Sequence, residues 1–187
     1  MRSLGRVGLA LGLVTALTAA PAAAQHAQRR AGFTFGVGLG YGWMSLGCDD
    51  CAGGEREGGL GGNIMLGAAL GPTVVVGAEA TGWSRTGADT SLFFTNVSGA
   101  VYFYPMAAQG LFLKGGIGTS LVKTATAGGG FGSHIASERG LGLLLGAGYD
   151  LRLGTNPTVT PVVNYFHGSF GGSSADLVQV GLGLTFY

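Results

Sequence analysis

The chain of 187 residues is long enough for one domain, and only 10% of its positions are charged, against about 25% in an ordinary soluble domain. Glycine takes 39 positions without a collagen-like period, and mean hydropathy is +0.41, yet no run of about 18 apolar residues follows the first segment. A spanning helix and a basic nucleic-acid-binding face are thereby excluded, which leaves a closed barrel as the way to satisfy backbone polar groups in lipid.

The first segment reads as a targeting signal. Arg2 and Arg6 supply a basic start, residues 7–20 are apolar, Pro21 breaks the run, and Ala22-Ala23-Ala24 provides small residues for cleavage before Gln25. Residues 1–24 are expected to be a cleaved signal peptide and residues 25–32 a lead-in to a barrel over 33–187. No cysteine stands at the cleavage site, which argues against a lipoprotein. Taking Arg2 and Arg6 from the ten basic residues leaves eight against nine acidic ones, a near-neutral mature chain.

From Phe33 to Trp43 every second residue is large and apolar, while Thr34, Gly36, Gly38, Gly40 and Gly42 fall between them. Side chains alternate between the faces of a strand, so one face is apolar and the other nearly bare. A soluble sheet carries charge on its outer face, and none is present here. The apolar phase therefore meets lipid and the small polar phase lines a narrow barrel.

The alternation recurs seven times. Gly62 to Leu70 puts Ile64, Leu66 and Leu70 opposite Asn63, Met65 and Gly67, and a Gly71-Pro72-Thr73 turn leads into Val74 to Ser84, where Val74, Val76 and Ala80 oppose Gly77, Glu79 and Thr81. Leu92 to Tyr104 sets Val97, Val101 and Phe103 against Asn96, Ser98 and Tyr102; Leu111 to Val122 sets Leu113, Ile117 and Leu121 against Lys114, Gly118 and Ser120. Gly140 to Leu151 sets Leu141, Leu143, Leu145 and Tyr149 against Gly142, Gly146 and Asp150; Thr158 to His167 sets Val159, Val163 and Tyr165 against Thr158, Thr160 and Asn164. Asp176 to Tyr187 closes the series, with Val178, Val180, Leu182 and Phe186 opposite Gln179, Gly181 and Thr185. Most runs approach the ~9–11 residues of a tilted spanning strand.

The connections alternate between short turns (Gly71–Thr73, Pro105–Gly110, Arg152–Pro157) and longer polar loops (Gly47–Gly59, Arg85–Ser91, Lys123–Arg139, Gly168–Ala175). That asymmetry predicts longer outer loops and both termini in the periplasm. Asp49, Asp50, Glu55, Arg56, Glu57, Arg85, Asp89, Lys123 and Glu138 are all assigned to the longer loops, and aromatic residues such as Tyr41, Trp43, Trp83 and Tyr165 cluster near strand ends.

With these eight strands and the terminal segment Val180-Gly-Leu-Gly-Leu-Thr-Phe-Tyr187, the chain resembles the small eight-stranded outer-membrane barrels of the outer membrane protein A/X-like superfamily. The resemblance implies an all-β, antiparallel up-and-down transmembrane barrel in the cell outer membrane of a Gram-negative-type envelope. It also implies recognition of the C-terminal strand by the barrel-assembly machinery. Tyr187 lies one position out of step with the lipid-facing phase that ends at Phe186, so which aromatic is read stays open.

Glu79, Lys114 and Asp150 are the charges inside strands, all in the inward phase, and a lone interior charge is costly, so an interior ion pair is expected. In the resembled superfamily such a cluster plugs the lumen, and a gated narrow pore is the alternative. Cys48 and Cys51 flank two aspartates in the first outer loop. An oxidising envelope favours a disulfide, while metal binding would need further ligands such as His134, His167, Asp49 or Asp50. His167-Gly168-Ser169 with Asp176 is similar to the His-x-Ser arrangement of outer-membrane lipid A deacylases, although the surrounding residues do not match. The glycine strings match neither a dinucleotide fingerprint nor a phosphate loop.

The chain is read as a monomeric, non-catalytic outer-membrane barrel with a structural or surface-interaction role. It needs no cofactor, binds no nucleic acid, and has outer-membrane lipid and an unidentified extracellular partner as its contacts. The alternative from another class is a soluble secreted barrel holding a small apolar ligand, which requires the apolar phase to point inward.

Overall fold

The computed structural model describes residues 30–48, 56–87, 90–126, 134–153 and 156–187. The expected signal peptide and residues 25–29 of the lead-in lie outside them. The strands are β1 (Gly32–Cys48), β2 (Glu57–Ala69), β3 (Val74–Thr86), β4 (Thr90–Phe103), β5 (Leu111–Thr126), β6 (His134–Tyr149), β7 (Pro157–Ser169) and β8 (Ser173–Phe186). A two-residue segment, Leu151–Arg152, continues β6 in the same register against β7. Pro161 sits opposite the gap and has no N–H to give to the ladder. Each strand pairs antiparallel with the next, and β1 pairs with β8, so the sheet closes on itself with eight walls.

Following the rungs from Tyr41 in opposite directions reaches β5 at Lys123 one way and at Leu113 the other. That offset of ten residues is the stagger a tilted, closed barrel requires. One end, here the terminal end, carries both termini and the connections at 70–73, 104–110 and 153–156. The other, the loop end, carries 49–56, 87–89, 127–133 and 170–172.

The phases fall as the alternation dictates. Leu39 is 80% exposed and Leu182 62%, whereas Glu79 is 1% and Lys114 6% exposed. The interior therefore does not hold the apolar phase, and the soluble apolar-ligand barrel does not describe this structure.

Two expectations are corrected. Glu57, Arg85, Lys123 and Glu138 were expected in loops and lie on strands. The ladders run on past the apolar belt, because backbone pairing continues wherever the facing side chains are compatible with water. Two of the expected long loops consequently shrink to 87–89 and 170–172. The second is a hairpin in which Phe170 N–H donates to Ser173 O at 2.8 Å, and Gly171 and Gly172 take φ of 62° and 123°, backbone shapes that favour glycine.

Candidate functional site

Glu79 on β3 and Lys114 on β5 project inward and meet across the lumen. Lys114 Nζ donates to both carboxylate oxygens of Glu79 at 2.8 and 2.7 Å, and the two side chains are 3% and 0% exposed. Tyr102 on β4 donates a short hydrogen bond to the same carboxylate, and Thr81 Oγ1 donates at 3.5 Å. The Lys114 ammonium also lies 5.4 Å from the centre of the Tyr102 ring. With its charge matched and its oxygens saturated, this pair is a buried tie across three walls. A void of about 40 Å3 beside it is lined by Asn63, Tyr102, Thr160 and Thr185 among others, room for a water molecule.

Asp150, the third inward charge expected in that cluster, lies apart from the pair. It sits at the terminal end, where its carboxylate accepts hydrogen bonds from Thr160 at 2.8 Å, Tyr104 at 3.1 Å and, more closely, Tyr187. The step out of phase at the C-terminus thus has a structural reason: Phe186 faces outward, 42% exposed, and Tyr187 turns into the barrel mouth. Arg30 closes the mouth from the other terminus. Its guanidinium lies 3.5 Å from the Tyr104 ring centre and donates to the carbonyls of Pro72 (3.1 Å), Ala107 (3.3 Å) and Gln109 (2.8 Å). Arg30 is not picked out by sequence, since a residue beside a strand end shows no period, and for Tyr187 the sequence shows the step out of phase but not its partners.

The lumen differs most from expectation toward the loop end. Met44, Trp83, Phe94, Leu144, Phe166 and Leu177 are buried there, all in the phase read as glycine and hydroxyls. The glycines are what make room for them. A Cβ on Gly42 would lie 2.9 Å from Leu177 and 3.2 Å from Trp83, and one on Gly59 would lie 2.7 Å from Trp83. Trp83 Nε1 donates to Gly42 O at 3.1 Å, and the Phe94 and Phe166 rings tilt together at 6.2 Å. Packed together, these side chains occupy the lumen on the loop side of the ion pair.

His167 and Asp176 are opposite each other on β7 and β8 and face outward. His167 Nδ1 is 2.8 Å from Asp176 Oδ1, which also accepts from Tyr165 Oη at 2.6 Å. Ser169 shares their face, and among the described residues the hydrogen-bond partner of His167 is Asp176 and not Ser169. Cys51, Asp49 and Asp50 lie outside the described residues, as does the Cys48 side chain. Among the described residues, no group of three His, Cys, Asp or Glu is placed to hold a metal ion.

No protein-family model and no curated protein matches the chain. Solved structures do. The crystal structure of Ail, the attachment invasion locus protein of Yersinia pestis, is similar with a TM-score of 0.66 at 16% identity, over 83% of this chain and 99% of that one. Ail in complex with the heparin analogue sucrose octasulfate gives 0.64 at 15%, over 83% and 99%. Neisserial surface protein A gives 0.53 at 14%, over 81% of this chain and 96% of that one. At such identities the likeness concerns architecture, and on architecture it agrees with register and closure: the chain has the fold of the small eight-stranded outer-membrane β-barrels.

Proposed function

We propose that the protein resides in the outer membrane as a monomeric, non-catalytic barrel with both termini in the periplasm and its loop end presented outside. The observation that carries this reading is the inversion of its faces: Leu39, Ile64, Leu143 and Leu182 point out while Glu79, Lys114 and Asp150 point in. That distribution suits hydrocarbon outside and costs solubility in water. A structural or surface-interaction role fits a lumen occupied by the Glu79–Lys114 pair and by the apolar side chains above it, with the loop end as the surface that meets a partner. The attachment and surface roles in the names of the similar barrels support it. Within this reading Phe186 is the outward terminal aromatic that barrel-assembly machinery would meet, the segment before Gln25 is removed on export, and Cys48 and Cys51 form a disulfide.

Fractionation tests the reading. The protein is expected in detergent-extracted outer membrane, migrating faster in gels unless heated, with protease cutting loop-end sites on intact cells. Recovery in the soluble secreted fraction, with no heat-dependent shift, would refute it.

A further inference from the structure

At the loop end the walls of the barrel differ in height. β7 and β8 turn back at 170–172, with Ser169 opposite Leu141, whereas β6 runs on from there to His134 against β5. In the notch so formed the hairpin folds the Phe170 ring over inward glycines of the neighbouring walls: a Cβ on Gly168 would lie 2.7 Å from that ring and one on Gly140 3.0 Å. Glu138 shares the inward face of Gly140 and reaches across the hairpin to Ser173, whose Oγ donates to its carboxylate at 2.7 Å. Beside them lies a cavity of about 240 Å3, lined by Leu46, Val122, Thr124, Glu138, Phe170 and Ser173 among others. Val122 belongs to the apolar cluster of the lumen and Phe170 packs against it, so the cavity adjoins that cluster.

The charges of this mouth do not cancel. Glu57 and Arg85, inward at the same end, form an ion pair. Among the described residues Glu138 has no cation within ion-pair reach, because parity turns its chain neighbour Arg139 and the nearby Lys123 outward. A carboxylate beside a hydroxyl, an aromatic ring and an apolar surface is the complement of an ammonium ion that carries an apolar body. A neutral guest gains nothing from the charge, and an anion is repelled. The volume falls below the ~300–1,000 Å3 of drug-sized sites, so the guest is small. We propose that this notch in the loop-end mouth is a binding site for a small organic ammonium ion, a primary amine on a short chain that ends in one ring or a comparable apolar group. Glu138 takes the ammonium by a charge-assisted hydrogen bond, the Phe170 ring offers its face to the cation, and Leu46 and Val122 receive the apolar body. Binding there does not depend on which way the barrel is inserted, so the site stands apart from the membrane orientation proposed above.

The test titrates the full mature chain in neutral detergent micelles with para-fluorophenethylamine, read by fluorine NMR with empty micelles subtracted. Wild type is expected to bind the amine saturably and about tenfold more tightly than the corresponding alcohol, a modest ratio because Glu138 is exposed. Glu138→Gln is expected to bring the amine down to the level of the alcohol, and Glu138→Asp, which keeps the charge, to restore most of the preference. Glu57→Gln changes the net charge of the same mouth equally and should alter amine affinity less than about twofold. Phe170→Ala should weaken the amine several-fold. Absence of saturable binding, equal affinity for amine and alcohol, or equal losses in Glu138→Gln and Glu57→Gln would overturn the site. Methylammonium bound as tightly as the probe would show that charge alone is read and refute the assignment. The heat-dependent gel shift checks that each variant is folded. Selective binding by a chain that fractionates as soluble would refute the membrane reading and leave the site standing.

Discussion

Removing the Lys114 ammonium probes the buried tie across the lumen. In the wild type it contacts both oxygens of Glu79, and the two side chains are 3% and 0% exposed, so neither charge faces bulk water. At an effective dielectric of ~20 and a separation near 3 Å the gross attraction is about 5–6 kcal/mol, most of it offset by desolvation. Lys114→Ala deletes the attraction and leaves the desolvation of Glu79 in place. The expected loss is therefore about 3–5 kcal/mol, softened by the hydrogen bonds from Tyr102 and Thr81 that remain on the carboxylate. Glu79→Gln/Lys114→Met removes both charges and is expected to recover most of that loss. Urea unfolding in detergent micelles, followed by tryptophan fluorescence and by the gel shift, measures both. Because the pair is buried, 1 M salt should leave the difference nearly unchanged. A Lys114→Ala barrel within about 0.5 kcal/mol of wild type, or a double variant weaker than the single, would refute the reasoning.

Three further outcomes follow from the lumen. Wild type and Lys114→Ala are both expected to show no single-channel conductance in planar bilayers, since the layer of Phe94, Leu144, Phe166 and Leu177 is untouched. Steady conductance in the variant alone would make the ion pair the seal. Arg30→Ala, which loses a ring contact and three carbonyl bonds, should cost about 1–3 kcal/mol in the same unfolding assay, with Arg30→Lys recovering only part because an ammonium lacks the planar fork. Tyr187→Phe removes the hydroxyl shared by Asp150 and Tyr104 and should cost about 1–3 kcal/mol without lowering membrane insertion, whereas Phe186→Ala should lower insertion more than stability.

Much of the architecture was legible because a strand's side-chain period is two. The run from Phe33 to Trp43 assigns inside and outside without any partner strand, and a register slip of one residue would expose every interior side chain. Glu79 and Lys114 follow from the same parity. Strand ends were less legible. Alternation fades where both faces meet water, so Arg85 and Lys123 read as loop residues although the ladder includes them.

Parity says which way a residue faces and nothing about its neighbours across the lumen. Those are set by the ten-residue stagger, which brings Lys114 to Glu79 and leaves Asp150 to the terminal tyrosines. The same limit hid the apolar filling, since Trp83 and Phe166 look misplaced in a small-residue phase until glycines on other strands are seen beside them. Sequence alone determined the faces, the strand number and the lipid-facing belt, because these depend on local period and hydropathy. Only closure decided which side chains fill the lumen, which charges pair, and which outward residues become neighbours, because each depends on residues far apart in the chain meeting at one height of the barrel.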